Sequence, residues 1–156
     1  MKTLIMLSAI PASGKTTWAK KYQDEHPNTF IISSDEVRME VTHGDYQDFS
    51  KQDIVWRLFE SRIHEYAKDN ENCTVILDAL NDSNEIRMKY LATTPEYDKK
   101  VLVLFPNTYE RSSHYNGYRE EAVRVPENVL VGLCNKFEMP NEQVKNIVDE
   151  IIEVRW

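Results

Sequence analysis

Residues 9–16 read Ala9-Ile10-Pro11-Ala12-Ser13-Gly14-Lys15-Thr16. This stretch fits every position of the pattern Gly-x-x-x-x-Gly-Lys-Ser/Thr except the first, where Ala9 stands in place of glycine. An apolar run of strand length precedes the stretch, and apolar residues at helical spacing follow it. If Gly-Lys-Thr stood at the start of a helix by chance, a strand-length apolar run directly before the loop would not be expected. We therefore interpret the stretch as a phosphate-binding loop between a strand and a helix.

The residue types in this loop suit an anionic ligand. Successive backbone N–H groups of residues 12–17 would point at a phosphate, and the helix that follows would add the positive end of its dipole. Gly14 allows close approach of the backbone, Lys15 places a cation on the β- and γ-phosphates, and Thr16 offers its hydroxyl to Mg²⁺. The predicted ligand-binding residues are Ala12, Ser13, Gly14, Lys15, Thr16 and Thr17. If the position of Ala9 requires a positive φ, its side chain costs about 1 kcal/mol.

Alternating apolar runs and helical patterns fill the rest of the chain. The runs at 29–33, 73–77 and 101–105 are typical of strands buried in a parallel sheet, and helical patterns cover 51–69, 82–92 and 127–138. The C-terminus fits either a helix face or a final strand, and a short helix followed by a strand over 151–156 is the preferred interpretation. Segments 43–50 and 112–125 lack strong periodicity and are expected to be flexible.

These patterns predict an α/β three-layer sandwich with a mostly parallel sheet of about five strands and helices on both faces. The length of 156 residues fits one domain over 1–156. The composition, with 41% hydrophobic and 29% charged residues, argues against a disordered tail or a membrane protein. Two cysteines are too few for a disulfide framework or a zinc site and are typical of a reduced cytoplasmic protein. The net charge of −7 argues against a general nucleic-acid binder but allows a local basic groove.

Two aspartates follow predicted strands, as the phosphate-binding loop does. Ligands of such folds bind beyond the carboxyl ends of the parallel strands, so Asp35, Asp78 and the loop are expected to line one cleft. Asp78 occupies the usual place of a magnesium-associated carboxylate, although an exposed strand end or a helix cap would also suit it. Asp35 is placed to accept the proton of an alcohol, and the alternative is an N-cap of the helix that follows.

Several arginines suit an anionic substrate or a migrating phosphoryl group. Arg38 lies one helical turn after Asp35 and could grip a substrate anion, or it could pair at the surface with Glu36 or Glu40. Arg119 and Arg124 are predicted to contact the phosphates of ATP. Arg119 is preferred as the arginine that assists transfer, ahead of Arg111 and Arg124.

Four stretches resemble the phage-type 5′-hydroxyl polynucleotide kinases, whose broader relatives include zeta-toxin-like kinases. They are Pro-Ala-Ser-Gly-Lys-Thr-Thr-Trp-Ala at 11–19, Ser-Ser-Asp-Glu-Val-Arg at 33–38, Leu-Asp-Ala-Leu-Asn at 77–81, and Asn-Gly-Tyr-Arg at 116–119 ahead of Val-Pro-Glu at 125–127. The resemblance covers nearly the whole chain, and the Asp-x-x-Arg after the second strand is its most specific part. The sequence has no Asp-x-Asp motif, so no phosphatase domain is expected.

The resemblance implies a kinase that uses ATP and Mg²⁺. Lys15, Thr16 and Thr17 would hold ATP and its metal, Asp35 would deprotonate a 5′-hydroxyl, and Arg38 would grip the neighbouring nucleotide phosphate. Asp78 would support magnesium, and Arg119 would close over the phosphates from a lid over approximately 112–125.

The sequence is compatible with a short oligonucleotide end, a nucleotide or a small alcohol as acceptor. Residues 35–53 carry six acidic and two basic side chains, which disfavours a long polyanion near the expected acceptor mouth. Tyr46 and Phe49 could stack a base there, or they could pack in the core. The leading hypothesis is a kinase acting on the 5′-OH end of DNA or RNA. A small-molecule, nucleotide or sugar-nucleotide kinase is the alternative, and a non-catalytic ATP-binding switch is a third hypothesis.

Overall fold

The computed structural model describes residues 1–155, in which seven helices pack against a five-stranded sheet. The strands are β1 (Lys2–Ser8), β2 (Thr29–Ser33), β3 (Cys73–Asp78), β4 (Lys99–Leu104) and β5 (Glu150–Glu153). The helices are α1 (Lys15–Glu25), α2 (Ser34–Val41), α3 (Gln52–Asp69), α4 (Asn84–Leu91), α5 (Tyr109–Asn116), α6 (Glu127–Lys136) and α7 (Glu142–Ile147), with a 3₁₀ turn at Glu121–Val123. Within this part of the chain, no helix is both long and apolar enough to span a bilayer.

The sheet is parallel in all four of its strand pairings. Its order is β2-β3-β1-β4-β5, so the strand that precedes the phosphate-binding loop lies at the centre. Ser33 at the end of β2 pairs with Asp78 at the end of β3, and Met6 in β1 pairs with Leu77. The carboxyl ends of the three strands therefore meet at one edge of the sheet, as the sequence predicts.

Alternate residues of each central strand face opposite sides of the sheet. In β1, Leu4 and Met6 join the larger apolar cluster, which α2, α3, α4 and α7 cover. Ile5 and Leu7 join a second cluster, which Ala19 and the partly buried Trp18 of α1 cover. Burial on both sides explains why the strands read as continuous apolar runs, and it confirms the three-layer α/β sandwich.

The C-terminal prediction and the prediction for 112–125 have different outcomes. α7 and β5 confirm the helix-then-strand interpretation, while residue 156 lies outside the described part of the chain. Segment 112–125, called the lid below, has more regular structure than predicted, because α5 reaches Asn116 and a 3₁₀ turn follows. α5 buries only the polar residues Ser112 and Asn116, so it leaves no apolar stripe for a sequence pattern to detect.

A fully buried arginine joins three segments of the chain. Arg87 of α4 donates to the hydroxyl of Ser8, the carbonyl of Asn81, the side-chain oxygen of Asn84 and the carbonyl of Glu138. Burial lowers the pKa of Arg87, and the nearby charges of Asp82 and Glu138 oppose that shift. Five hydrogen bonds to neutral oxygens thus tie together the end of β1, the loop after β3 and the chain after α6.

Replacing this arginine should destabilise the fold strongly. Arg87→Met keeps an apolar stem but leaves buried oxygens without donors, so we expect a loss of about 3 kcal/mol in the free energy of unfolding. Urea denaturation followed by circular dichroism measures this loss. Arg57→Met, which changes an exposed arginine on α3, is the matched control and should cost less than about 0.5 kcal/mol. Equal stability of the two variants would show that the Arg87 network contributes little.

Candidate active site

The phosphate-binding loop turns sharply between β1 and α1. Gly14 caps α1 with φ of 91°, and Ala12 has φ of 57°, so the left-handed backbone falls at these two positions. Ala9 is not among the residues with positive φ, and its N–H donates to the carbonyl of Leu80 at 2.8 Å. The strain considered for Ala9 is therefore absent there. A comparable cost of about 1 kcal/mol falls on Ala12 instead.

A cavity of about 520 Å³, called the loop cavity, opens over this turn. Its lining comprises residues 12–18 together with Lys21, Phe105, Arg111, Tyr115, Arg119 and Val154. The hydroxyl of Ser13 is buried in the turn without a hydrogen-bond partner in the described structure. The first amides of α1 have no partner within the helix by its geometry. The cavity thus combines polar donors on one wall with Trp18 and Phe105 on another.

Asp78 contacts the first turn of α1 from the end of β3. Its side chain is buried, with the residue only 2% exposed, and its Oδ2 accepts a hydrogen bond from the Thr16 hydroxyl at 2.9 Å. Its Oδ1 lies 3.8 Å from Lys15 Nζ and has no hydrogen-bond partner among residues 1–155. An adjacent hydroxyl and an unsatisfied carboxylate oxygen are the hard oxygen ligands that Mg²⁺ takes, so this pair fits a magnesium site. Burial contradicts the alternative of an exposed strand end.

Asp35 and Arg38 form an ion pair on the first turns of α2. Arg38 is 5% exposed, and its Nη1 donates to Asp35 Oδ1 at 3.0 Å while its Nε donates to Gln52 at 3.2 Å. The ring of Phe49 lies over the guanidinium at 4.3 Å. Of the five N–H groups of the Arg38 guanidinium, these hydrogen bonds use the one on Nε and one on Nη1. Gln52 and Phe49 therefore hold the pair in place, and further N–H groups of Arg38 are left for a ligand.

The structure contradicts the helix-cap alternative for Asp35 and the surface ion pair of Arg38 with Glu40. Ser33, not Asp35, caps α2, because its hydroxyl accepts from the N–H of Glu36 at 3.3 Å. Arg38 does not pair with Glu40, which instead binds Arg62 on α3. The hydrogen bond from Arg62 lowers the pKa of Glu40. Asp35 is thus left without a capping role.

The two aromatic residues after α2 flank Arg38. Tyr46 lies beside the guanidinium at 5.6 Å, and its hydroxyl donates weakly to Asp35 Oδ2 at 3.4 Å. Burial and then the charge of Asp35 raise the pKa of Tyr46, so its hydroxyl is a donor at neutral pH. Phe49 is half exposed rather than buried in the core. The rings therefore shape the surroundings of the Asp35–Arg38 pair.

A second cavity, of about 460 Å³, lies between this pair and the phosphate-binding loop and is called the α2 cavity. Lys15 and Arg119 line both the α2 cavity and the loop cavity. The basic residues that line the α2 cavity are Lys15, Arg38, Lys89, Arg119 and Lys136, and the acidic ones are Asp35 and Asp82. The side chains that line this cavity therefore have a net positive charge, although the net charge of the whole chain is −7.

The three candidate arginines have different surroundings. Arg119 lines both cavities, and Arg111 lines the loop cavity and lies over the Tyr115 ring at 5.1 Å. The guanidinium of Arg124 donates to the carbonyls of Gly117 and Arg119 at 3.1 and 2.9 Å. Arg124 therefore holds the backbone that carries Arg119. The lid also meets the loop after α2, where Gln47 donates to the carbonyl of Ala122.

Sequence reasoning missed several residues of the α2 cavity. Asn81 and Asp82 follow Asp78 by a few positions, so their place at the same strand end could have been anticipated. Asn81 also has an unusual φ of 44°, which no sequence pattern reveals. Trp56, Lys89 and Lys136 line the cavity only because α3, α4 and α6 converge there. Nothing in their local sequence distinguishes them from ordinary helix residues.

Comparison with curated proteins finds a related segment in a much longer protein. Human heterogeneous nuclear ribonucleoprotein U-like protein 2 is 25% identical over 149 residues, which cover 89% of this chain and 20% of the relative. The chain thus spans about a fifth of that protein, and the corresponding mouse protein gives a similar match at 24% identity.

Several solved structures share the fold. A chain of the Pnkp1/Rnl/Hen1 RNA repair complex has a TM-score of 0.76 at 21% identity, over 95% of this chain and 46% of that one. A fungal RNA kinase has a TM-score of 0.68 at 16% identity, over 99% and 75% of the two chains. Shikimate kinase from Acinetobacter baumannii, in complex with shikimate, has a TM-score of 0.61 at 14% identity, over 99% and 84%. At these identities the likeness concerns the fold.

One family model matches most of the sequence. The family is described as an AAA domain, and the match runs over residues 4–140. That range includes the phosphate-binding loop, both strand-end aspartates, the lid and α6. Because it takes in well over half of the chain, the protein belongs to the AAA domain family AAA_33.

Proposed function

We propose that this protein is an ATP- and Mg²⁺-dependent kinase that transfers the γ-phosphoryl group to the 5′-hydroxyl end of a DNA or RNA chain. The observation that carries the proposal is that Lys15 and Arg119 line both cavities. A phosphoryl group between two pockets needs cations on its equatorial oxygens where the pockets meet. The two basic side chains stand at that junction.

The loop cavity is the proposed site of ATP. Backbone amides of residues 12–17 and the N-terminus of α1 would bind the phosphates, and Lys15 would exchange its long contact with Asp78 for the γ-phosphate. Thr16 and Asp78 would hold Mg²⁺, which neutralises charge on the phosphate oxygens when bound. Trp18 and Phe105 supply an apolar wall for the base.

The α2 cavity is the proposed site of the acceptor, with Asp35 as general base. Asp35 would take the proton of the 5′-hydroxyl as that oxygen bonds to the γ-phosphorus and the bond to the β–γ bridging oxygen breaks, leaving ADP. A base of this kind contributes about 10²–10⁴-fold in rate. Arg38 fixes the carboxylate of Asp35 and offers its other N–H groups to the phosphate of the terminal nucleotide.

The lid supplies the arginine that assists transfer. Arg119 is the proposed contact to the migrating group, and Arg111 is a second cation over the loop cavity. Arg124, predicted from sequence to contact ATP, is proposed to act by holding the carbonyl of Arg119 and so the position of that residue. An arginine on the transition state contributes about 10³–10⁵ in rate.

The net positive charge of the side chains that line the α2 cavity supports a polyanionic acceptor. Similarity to an RNA kinase agrees with this proposal, whereas similarity to shikimate kinase shows that the fold also serves a small alcohol. The acidic composition of residues 35–53 favours that second candidate, a small-molecule kinase. The acceptor must therefore be tested directly.

Label transfer from γ-labelled ATP distinguishes the two acceptor classes. We expect Mg²⁺-dependent labelling of 5′-OH oligonucleotides and none of the matching 5′-phosphorylated oligonucleotides, because only the former carry the reacting hydroxyl. Gel electrophoresis measures the labelled product, and chelation with EDTA should remove it. Labelling of small alcohols or sugars, with none of any oligonucleotide, would establish the second candidate instead.

Replacing Lys15 should nearly abolish turnover. Lys15→Ala removes the cation shared by the two cavities, so we expect a fall in kcat of about 10²–10³-fold, as for loss of one transition-state donor. Steady-state release of ADP measures this fall. Lys20→Ala, which changes an exposed lysine on the same helix, is the matched control and should retain full activity. Similar rates for the two variants would contradict the role of Lys15.

Replacing Asp35 separates a kinase from a non-catalytic ATP-binding switch. Asp35→Asn keeps the shape of the side chain but removes the proton acceptor, so kcat should fall about 100-fold or more while the Kd for ATP stays nearly unchanged. Single-turnover transfer and ATP titration measure the two quantities. Asp53→Asn, which changes an exposed acid at the start of α3, is the control. Undiminished transfer in Asp35→Asn would exclude Asp35 as the base.

A further inference from the structure

Two lysines contribute to the positive charge of the α2 cavity but have no individual role in the proposed transfer. Lys89 lies on α4, where its side chain is 54% exposed and forms a long 3.9 Å ion pair with Glu60. Lys136 lies in the last turn of α6, is exposed, and has no ion pair or hydrogen bond within residues 1–155. An exposed pair of this length contributes little, so both ammonium groups are available to a ligand.

Both lysines belong to helix faces that line the cavity. Ile86 precedes Lys89 by three positions and Leu133 precedes Lys136 by three, and all four residues line the α2 cavity. Residues three apart lie on one face of a helix, so each lysine follows an apolar residue of the same wall. Cations on two different helices therefore converge on one space, with apolar surface beneath them.

Helix α3 contacts both Arg38 and Lys89 and so relates their positions. Gln52 binds Arg38, Trp56 lines the cavity one turn later, and Glu60 pairs with Lys89 a further turn on. At 1.5 Å per residue, Gln52 and Glu60 lie about 12 Å apart along the axis. Along α3 the cavity wall thus presents Arg38, then the Trp56 ring, then Lys89, and Lys136 lines the same cavity from α6.

We propose that Lys89 and Lys136 form a second phosphate subsite, so that the preferred acceptor is a single-stranded end of at least two nucleotides. This inference rests on the proposed function. The first phosphate after the 5′-terminal nucleoside binds Arg38, the next binds the two lysines, and Trp56 stacks a base between them. Alternation of cations with an aromatic ring is how single strands are bound without sequence preference. Lysines suit the outer subsite because they act as mobile point charges.

The decisive experiment compares 5′-OH acceptors that carry one or two phosphates. A nucleoside 3′-phosphate reaches only Arg38, whereas a dinucleotide with a 3′-phosphate also reaches the lysines. Lys89→Ala and Lys136→Ala should each raise KM for the dinucleotide about fivefold, without changing kcat or KM for the mononucleotide. The slope of log KM against log salt for the dinucleotide should also become shallower by about 0.7 when the subsite is lost.

The control is Lys145→Ala, which removes a lysine of matching exposure that pairs with a single glutamate on α7. Lys145→Ala should leave kcat and KM unchanged for both acceptors. Equal effects of the Lys89 and Lys136 variants on the two acceptors, or no effect on either, would overturn the second subsite while leaving the kinase intact. Failure of the unmodified protein to phosphorylate either acceptor would instead overturn the proposed function, and the subsite with it.

Discussion

The contact of Asp78 with the first turn of α1 holds the two halves of the candidate site together. A carboxylate buried at the end of β3 meets the hydroxyl of Thr16 and the ammonium group of Lys15, both of which begin a helix that follows a different strand. Burying a charge is costly unless partners compensate it, and here one oxygen of Asp78 is still unsatisfied. The parallel register of β1, β2 and β3 makes this contact possible, because it brings three strand ends to one edge.

The positions of the charged side chains explain why an acidic segment lies beside a cavity with a net positive charge. Residues 35–53 are strongly acidic, yet the lining of the α2 cavity beside them includes five basic and two acidic side chains. Asp45 accepts from the N–H of Gln47, and Asp48 accepts from both the N–H and the hydroxyl of Ser50. The hydrogen bonds from the hydroxyl and the N–H of Ser50 lower the pKa of Asp48. The acids of this loop therefore stabilise its own turns, and Asp35 is the member of the segment that contributes an acidic group to the cavity.

Features encoded by neighbouring residues could be predicted from the sequence. The strands, the loop at 9–16 and the places of Asp35 and Asp78 follow from local periodicity and from the geometry of parallel sheets. α5 escaped detection because it buries two polar residues and no apolar stripe. Lys89 and Lys136 escaped because their shared cavity depends on how α4 and α6 approach each other. Arg87 has the sequence context of an ordinary helix residue, and only tertiary packing shows that it is fully buried.

The Arg87 network has a mechanical consequence for the cleft. The end of β1, the loop after β3 and the chain after α6 lie far apart in sequence and share one guanidinium, so they are held together as one unit. The lid is held differently, since Asn116 and Arg124 bind within it, while Gln47 donates to its backbone and its Ser113 donates to Glu127 of α6. Because the lid carries Arg119 and the sheet carries Asp78, a movement of the lid would change the distance between these two side chains without disturbing the strand ends.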